Sequence, residues 1–156
     1  MRYTGLLYVP VLLLVLTGLV SVPVQAREGR NMALVLITAS DYPLEKLSAS
    51  EVRRLFINEP VVLKQQKITP LINTSDELQY EIFLQKVVYM SERYYERMLI
   101  SKTFRRGRAR PERFSDNNEL VNALVSISGS VSVMWRETAE KEKRIRIVQT
   151  LWKKQH

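Results

Sequence analysis

Apolar residues fall into two kinds of run along this chain. Ala33 to Thr38, ALVLIT, is short and continuous, the pattern of a buried strand. A turn at Ser40-Asp41-Tyr42-Pro43 follows it. Val52, Leu55 and Phe56 then recur at helical spacing, behind a capping box of Ser48 and Glu51. Asn58-Glu59-Pro60 ends that helix, and Val61 to Leu63 reads as a weak strand. The next stretch, Lys67 to Tyr89, organises the rest. Ile68 to Ile72 reads as one buried strand, Asn73-Thr74-Ser75 breaks it, and Leu78, Ile82, Phe83 and Val87 resume at helical spacing. Ser75 fits the N-cap of this helix, and Asp76 and Glu77 suit the positive end of its dipole.

Ser91 caps a further helix with Tyr94, Tyr95, Met98 and Leu99 on its apolar side; the pattern fades near Phe104. Gly107 and Pro111 predict a loop. Ser115 or Asp116 opens a helix with Leu120, Ala123, Leu124 and Ile127 on one face, and Ser128-Gly129 closes it. Val131, Val133 and Trp135 alternate with Ser130, Ser132 and Met134, as in a strand. Glu137 to Lys143 reads as a charged turn before a last strand starting at Ile145. The order β-α-β-β-α-α-α-β-β predicts an α/β fold, a mixed sheet with helices packed on it. Phe56, Leu71, Ile82, Phe83, Leu124 and Val133 are the expected core.

The first 26 residues stand apart from this pattern. Met1-Arg2, an apolar Val11 to Val20 and the small-x-small Val24-Gln25-Ala26 fit a secretory signal peptide. An uncleaved N-terminal anchor is the other reading, although Pro10 and Pro23 interrupt the apolar part and it is short for a bilayer span of roughly 20 residues. Cleavage after Ala26 leaves one domain, Arg27 to His156, and a periplasmic location. The net charge of the whole chain is +8. For an exported protein this favours small anions, lipid headgroups or acidic protein surfaces over nucleic acid.

The chain has no cysteine, and its one histidine is the last residue. That excludes disulfides, thiol chemistry, cysteine metal sites and a histidine-based triad or metal cluster. No GxSxG, Walker loop or HExxH occurs, so the reading is non-enzymatic with no cofactor. Two polar features remain. Ser40 follows the first strand, and Thr74 and Ser75 follow the central one. If those strands are parallel, the hydroxyls converge at one sheet edge with helix amides, an anion site. Arg105, Arg106, Arg108, Arg110 and Arg113 crowd nine residues, a basic surface for an acidic envelope partner.

Taken in order, Leu47-Ser48-Ala49-Ser50-Glu51-Val52-Arg53-Arg54-Leu55-Phe56, Ile68 to Leu71, Thr74-Ser75 with Phe83 downstream, the Arg/Gly/Pro loop ending at Pro111, Ser115 to Val125 and Ser128-Gly129-Ser130-Val131 carry a resemblance. The chain resembles the short, exported relatives of the phosphate ABC-transporter substrate-binding proteins. The resemblance implies a type II periplasmic-binding-protein-like fold, here with room for a single lobe, and a small anion such as phosphate as ligand. The larger phosphate binders carry Ser-Gly-Thr at the central helix start; this chain reads Ser75-Asp76-Glu77. Two carboxylates beside a bound phosphate are unfavourable. The expectation is therefore a solute-binding-like domain with weak or lost anion binding. An interaction module acting through the arginine loop is the alternative.

Overall fold

The computed structural model describes residues 32–63, 66–107 and 109–155; the candidate signal segment, 1–26, lies outside them. The structure is a mixed α/β fold. A four-stranded sheet runs β4-β7-β1-β8, formed by Thr69–Pro70, Ser130–Trp135, Ala33–Ala39 and Ile145–Lys153. β1 is antiparallel to both β7 and β8, whereas β4 is parallel to β7.

β1 is buried along its whole length because both faces of the sheet are covered. Leu34 and Leu36 join Val131 and Val133 in a cluster with Val52, Leu55 and Phe56 of helix α1, Ala49–Phe56, and with Tyr95 and Leu99 of α3, Glu92–Arg106. Val35 and Ile37 face the other way. They pack with Met134, with Leu120 and Leu124 of α4, Asn117–Ser126, and with Ala139 of α5, Arg136–Lys141. The period-two alternation of a single strand thus feeds two hydrophobic layers. The two serines of β7 are buried but satisfied: Ser130 Oγ donates to Leu124 O at 3.2 Å and Ser132 Oγ to Leu71 O at 2.8 Å.

The expected central strand is two short ones. β4 pairs with β7, then the chain changes partner at Leu71, and β5, Ile72–Asn73, pairs in parallel with β6, Arg113–Phe114. Pro70 lacks a backbone donor, so a continuous ladder through it is broken. β2, Val62–Leu63, and β3, Gln66–Lys67, form a small separate hairpin.

The central helix also differs from expectation. α2, Glu77–Phe83, opens into a π segment at Leu84–Val88. Its buried residues are Gln79, Tyr80, Phe83, Leu84, Val87 and Val88. That is a four-residue repeat, which drifts about 40° per turn in an α-helix. The wider π turn takes up this drift. Leu78, placed on the inner face by the sequence, is 47% exposed, and Ile82 is only half-buried. The other five expected core residues are buried. Tyr94 likewise turns outward, and Glu137 to Lys143 is mostly the helix α5, held by Lys141–Glu137 and Arg136–Glu140 pairs at i,i+4.

Candidate functional site

Two neighbouring parallel strands each run through a Ser-Asp turn into a helix. β5 leads through Thr74-Ser75-Asp76 to α2, and β6 leads through Ser115-Asp116 to α4. Both helix starts therefore reach the same end of the molecule, where free N–H groups and the helix dipoles favour an anion.

Each helix already holds one. The N-cap of α2 is Asp76, not Ser75: Asp76 Oδ1 accepts from Gln79 N at 2.7 Å. The same oxygen accepts from Trp135 Nε1 at 3.2 Å. Asp116 Oδ1 accepts from Asn118 N at 2.8 Å and Glu119 N at 3.0 Å. A carboxylate held by amide donors at a helix start is itself the anion that such a site attracts.

The hydroxyls between the helices are engaged as well. Buried Asn73 lies at the hub. Its Oδ1 accepts from Ser75 N at 3.0 Å and from Ser75 Oγ at 2.7 Å, and its Nδ2 donates to Val133 O at 3.1 Å and Asn117 Oδ1 at 3.2 Å. Ser75 Oγ also approaches Asn117 Oδ1 at 3.0 Å, so one hydroxyl proton serves two amide oxygens. Thr74 Oγ1 and N both donate to Phe114 O, at 3.1 and 2.8 Å. The turn is closed by its own polar groups. Asn73 and Asn117 carry this network, and the sequence reading missed both; the Asn-x-Ser spacing of an Asx turn at Asn73 was the available signal.

Ser40 does not join this site. Since β1 is antiparallel to β7, its end at Thr38 lies beside Val131, while Trp135 at the opposite end of β7 lies beside Leu34 and reaches Asp76. Roughly 13 Å of strand separates the two ends. Ser40 N instead donates to Arg144 O at 2.9 Å. The predicted convergence of Ser40 with Thr74 and Ser75 is thus corrected by strand direction. A groove of about 240 Å³ beside α2 is lined by Glu77, Glu81 and Glu92 with Tyr80, Leu84 and Met90. Its charge is wrong for phosphate.

The arginine segment divides. α3 runs to Arg106, so Arg105 and Arg106 belong to its last turn, where cations suit the helix dipole. Gly107 follows in the left-handed conformation at φ 61° and donates to Thr103 O, closing the helix. Arg108 and the side chain of Arg106 lie outside the described residues. Arg110 pairs with Glu96, and Arg113 lies 2.9 Å from Glu96 Oε1 without hydrogen-bond alignment. Arg113 also donates to the Tyr80 hydroxyl and sits 5.3 Å from that ring's centre. Burial pushes the Tyr80 phenol up to about 12, with Arg113 opposing. Arg105 is exposed and makes no ion pair among the described residues. No cluster of three or more Asp, Glu, His or Cys suited to a metal occurs among the described residues.

No family model and no curated protein matches the chain. Solved structures do match its fold. The PstS protein of Borrelia burgdorferi is 15% identical with a TM-score of 0.55, over 75% of this chain and 46% of that one. An ABC-type phosphate transport receptor from Vibrio cholerae is 12% identical with a TM-score of 0.52, over 76% of this chain and 46% of that one. A possible phosphate binding protein from Planctomyces limnophilus is 13% identical with a TM-score of 0.52, over 75% of this chain and 40% of that one. This chain spans less than half the length of each. The mixed sheet with helices on both faces is the fold of one lobe of such a binding protein.

Proposed function

We propose that this chain is a non-enzymatic, exported, periplasmic domain of solute-binding-protein-like fold in which anion binding is weak or lost. The observation that carries the reading is the double acceptance by Asp76, from Gln79 N and Trp135 Nε1, at the helix start nearest Thr74 and Ser75. A phosphate at this turn has to displace that carboxylate or lie against it. At about 6 Å and an effective dielectric of about 20, one such pair of unit charges costs roughly 3 kcal/mol before screening. Thr74 and Ser75 remain the residues for any anion that does bind, because their hydroxyls lie between the two helix starts.

Calorimetry with inorganic phosphate on the protein recovered from the envelope tests this. The expected dissociation constant is about millimolar or weaker. A micromolar constant overturns the reading and makes the chain an ordinary phosphate binder.

A second reading is an envelope interaction module that meets an acidic partner through basic residues, Arg105, Arg106, Arg108 and Arg110 among them. The exposed and unpaired Arg105 favours it. Arg110, already paired with Glu96, contributes less charge than the sequence implied.

A further inference from the structure

Helix α3 buries Tyr95 and Leu99 and turns the opposite ridge to solvent. That ridge is Arg93, Arg97, Ile100 and Phe104, at the i, i+4, i+7 and i+11 spacing of one helical stripe. Phe104 is 85% exposed and Ile100 41%. Tyr94, 55% exposed, and Arg105 flank the stripe. An outer ridge has no packing reason to carry a phenylalanine and an isoleucine between arginines.

The nearby acids do not neutralise this ridge. Glu96 is held by Arg110 and Arg113, and Glu59 by Lys102 and Arg54. Arg93, Arg97 and Arg105 make no ion pair among the described residues. The shallow groove of about 390 Å³ along the helix is lined by Arg97, Lys102 and Arg105 with Tyr94, Met98 and Ser101, and by no acid.

We propose that the Arg93–Arg97–Ile100–Phe104 ridge of α3 docks the protein on an anionic phospholipid surface. The inference rests on the second reading, a basic surface meeting an acidic partner, and moves that surface from the loop to the helix. Charge complementarity selects an acidic occupant. Shape then favours a bilayer: the ridge is convex, and a protruding Phe and Ile can sink among headgroups without a matching pocket, while flanking arginines reach phosphates. A protein partner would need a groove to receive the same side chains.

The chain has no cysteine, so one introduced thiol gives a clean probe. Ser101→Cys, beside the ridge, carries an environment-sensitive dye; Val125→Cys on α4, in the layer across the sheet, is the control. Vesicles of phosphatidylcholine with and without phosphatidylglycerol are titrated in. The dye at 101 should shift to the blue only with phosphatidylglycerol, should lose the shift at high salt, and the dye at 125 should not respond. This pattern holds whether or not the N-terminal apolar segment remains attached. Arg93→Gln with Arg97→Gln should weaken partitioning about 25-fold, about fivefold per arginine. Phe104→Ser should weaken it by on the order of tenfold. All three positions are exposed, and circular dichroism melts verify that the variants fold. Equal response at 101 and 125, indifference to phosphatidylglycerol, or unchanged partitioning of the arginine pair overturns the proposal. Binding of poly-glutamate without vesicle binding overturns it while keeping the broader acidic-partner reading; binding of neither overturns both.

Discussion

The Trp135 indole donates to the Asp76 carboxylate at 3.2 Å, tying the last residue of β7 to the first turn of α2. Asp76 is thereby fixed from two directions, by a sheet strand and by its own helix. Replacing it changes both the charge and the anchoring of the turn.

The double variant Asp76→Gly with Glu77→Thr removes both carboxylates and frees the Gln79 amide. Phosphate should then bind more tightly than to the wild type, by calorimetry under the same buffer. Glycine at the cap should cost only about a few tenths of a kcal/mol at the helix start, and loss of the Trp135 hydrogen bond about 1 kcal/mol more. A variant that folds and binds phosphate no better shows that the carboxylates are not what weakens the site.

Asn73→Ala should destabilise the fold by about 2–4 kcal/mol. It strips a partner from Ser75 N and from Val133 O at a buried position, while Ser75 Oγ keeps Asn117 Oδ1, and each group left without a partner carries a desolvation cost. Urea melts measure this. A change under about 1 kcal/mol means that water replaces the amide as partner of these groups.

Phe83→Ala should cost about 3–5 kcal/mol, and Ile82→Ala clearly less. Phe83 is buried with its ring 5.0 Å from Phe56, 5.9 Å from Tyr95 and 6.0 Å from Tyr80, whereas Ile82 is half-buried. Equal losses would mean that Ile82 is as much a core residue as Phe83, against the half-buried position of Ile82.

Glu59 predicts a response to acid. The Lys102 hydrogen bond holds its carboxyl below the usual carboxylate range, with Arg54 adding to the effect. A depressed folded value means that the pair's contribution is present above the unfolded value and is lost as pH falls through the folded one. The pair is partly exposed, so the contribution is about 1 kcal/mol or less. Glu59→Gln should flatten the acid side of the stability profile; a parallel profile rules out the pair as its source.

Local chemistry was legible in the sequence. Ser48 with Glu51, and Ser91, concern bonds three residues apart, which a cap residue and its first turn decide between them; between Ser115 and Asp116 the sequence left the choice open, and Asp116 is the cap. The α/β character and five core side chains followed from periodicity in the same way. Tertiary structure decided what depends on partners far along the chain. Ser75 yielded the cap to Asp76, which also binds Trp135, 59 residues away. Leu78 faces outward, although the pattern set it on one face with Phe83, because the buried positions follow a four-residue repeat, taken up by a π turn, that reads as ordinary helix. Ser40 was separated from Thr74 and Ser75 by strand direction alone, since a strand's hydrophobic pattern reads the same in either direction while its hydrogen-bonding neighbours fix which end meets which. The arginines were counted correctly, but Glu96 on a preceding helix decided which of them remained charged to the outside, because an ion pair is a property of distance in space, not of spacing in sequence.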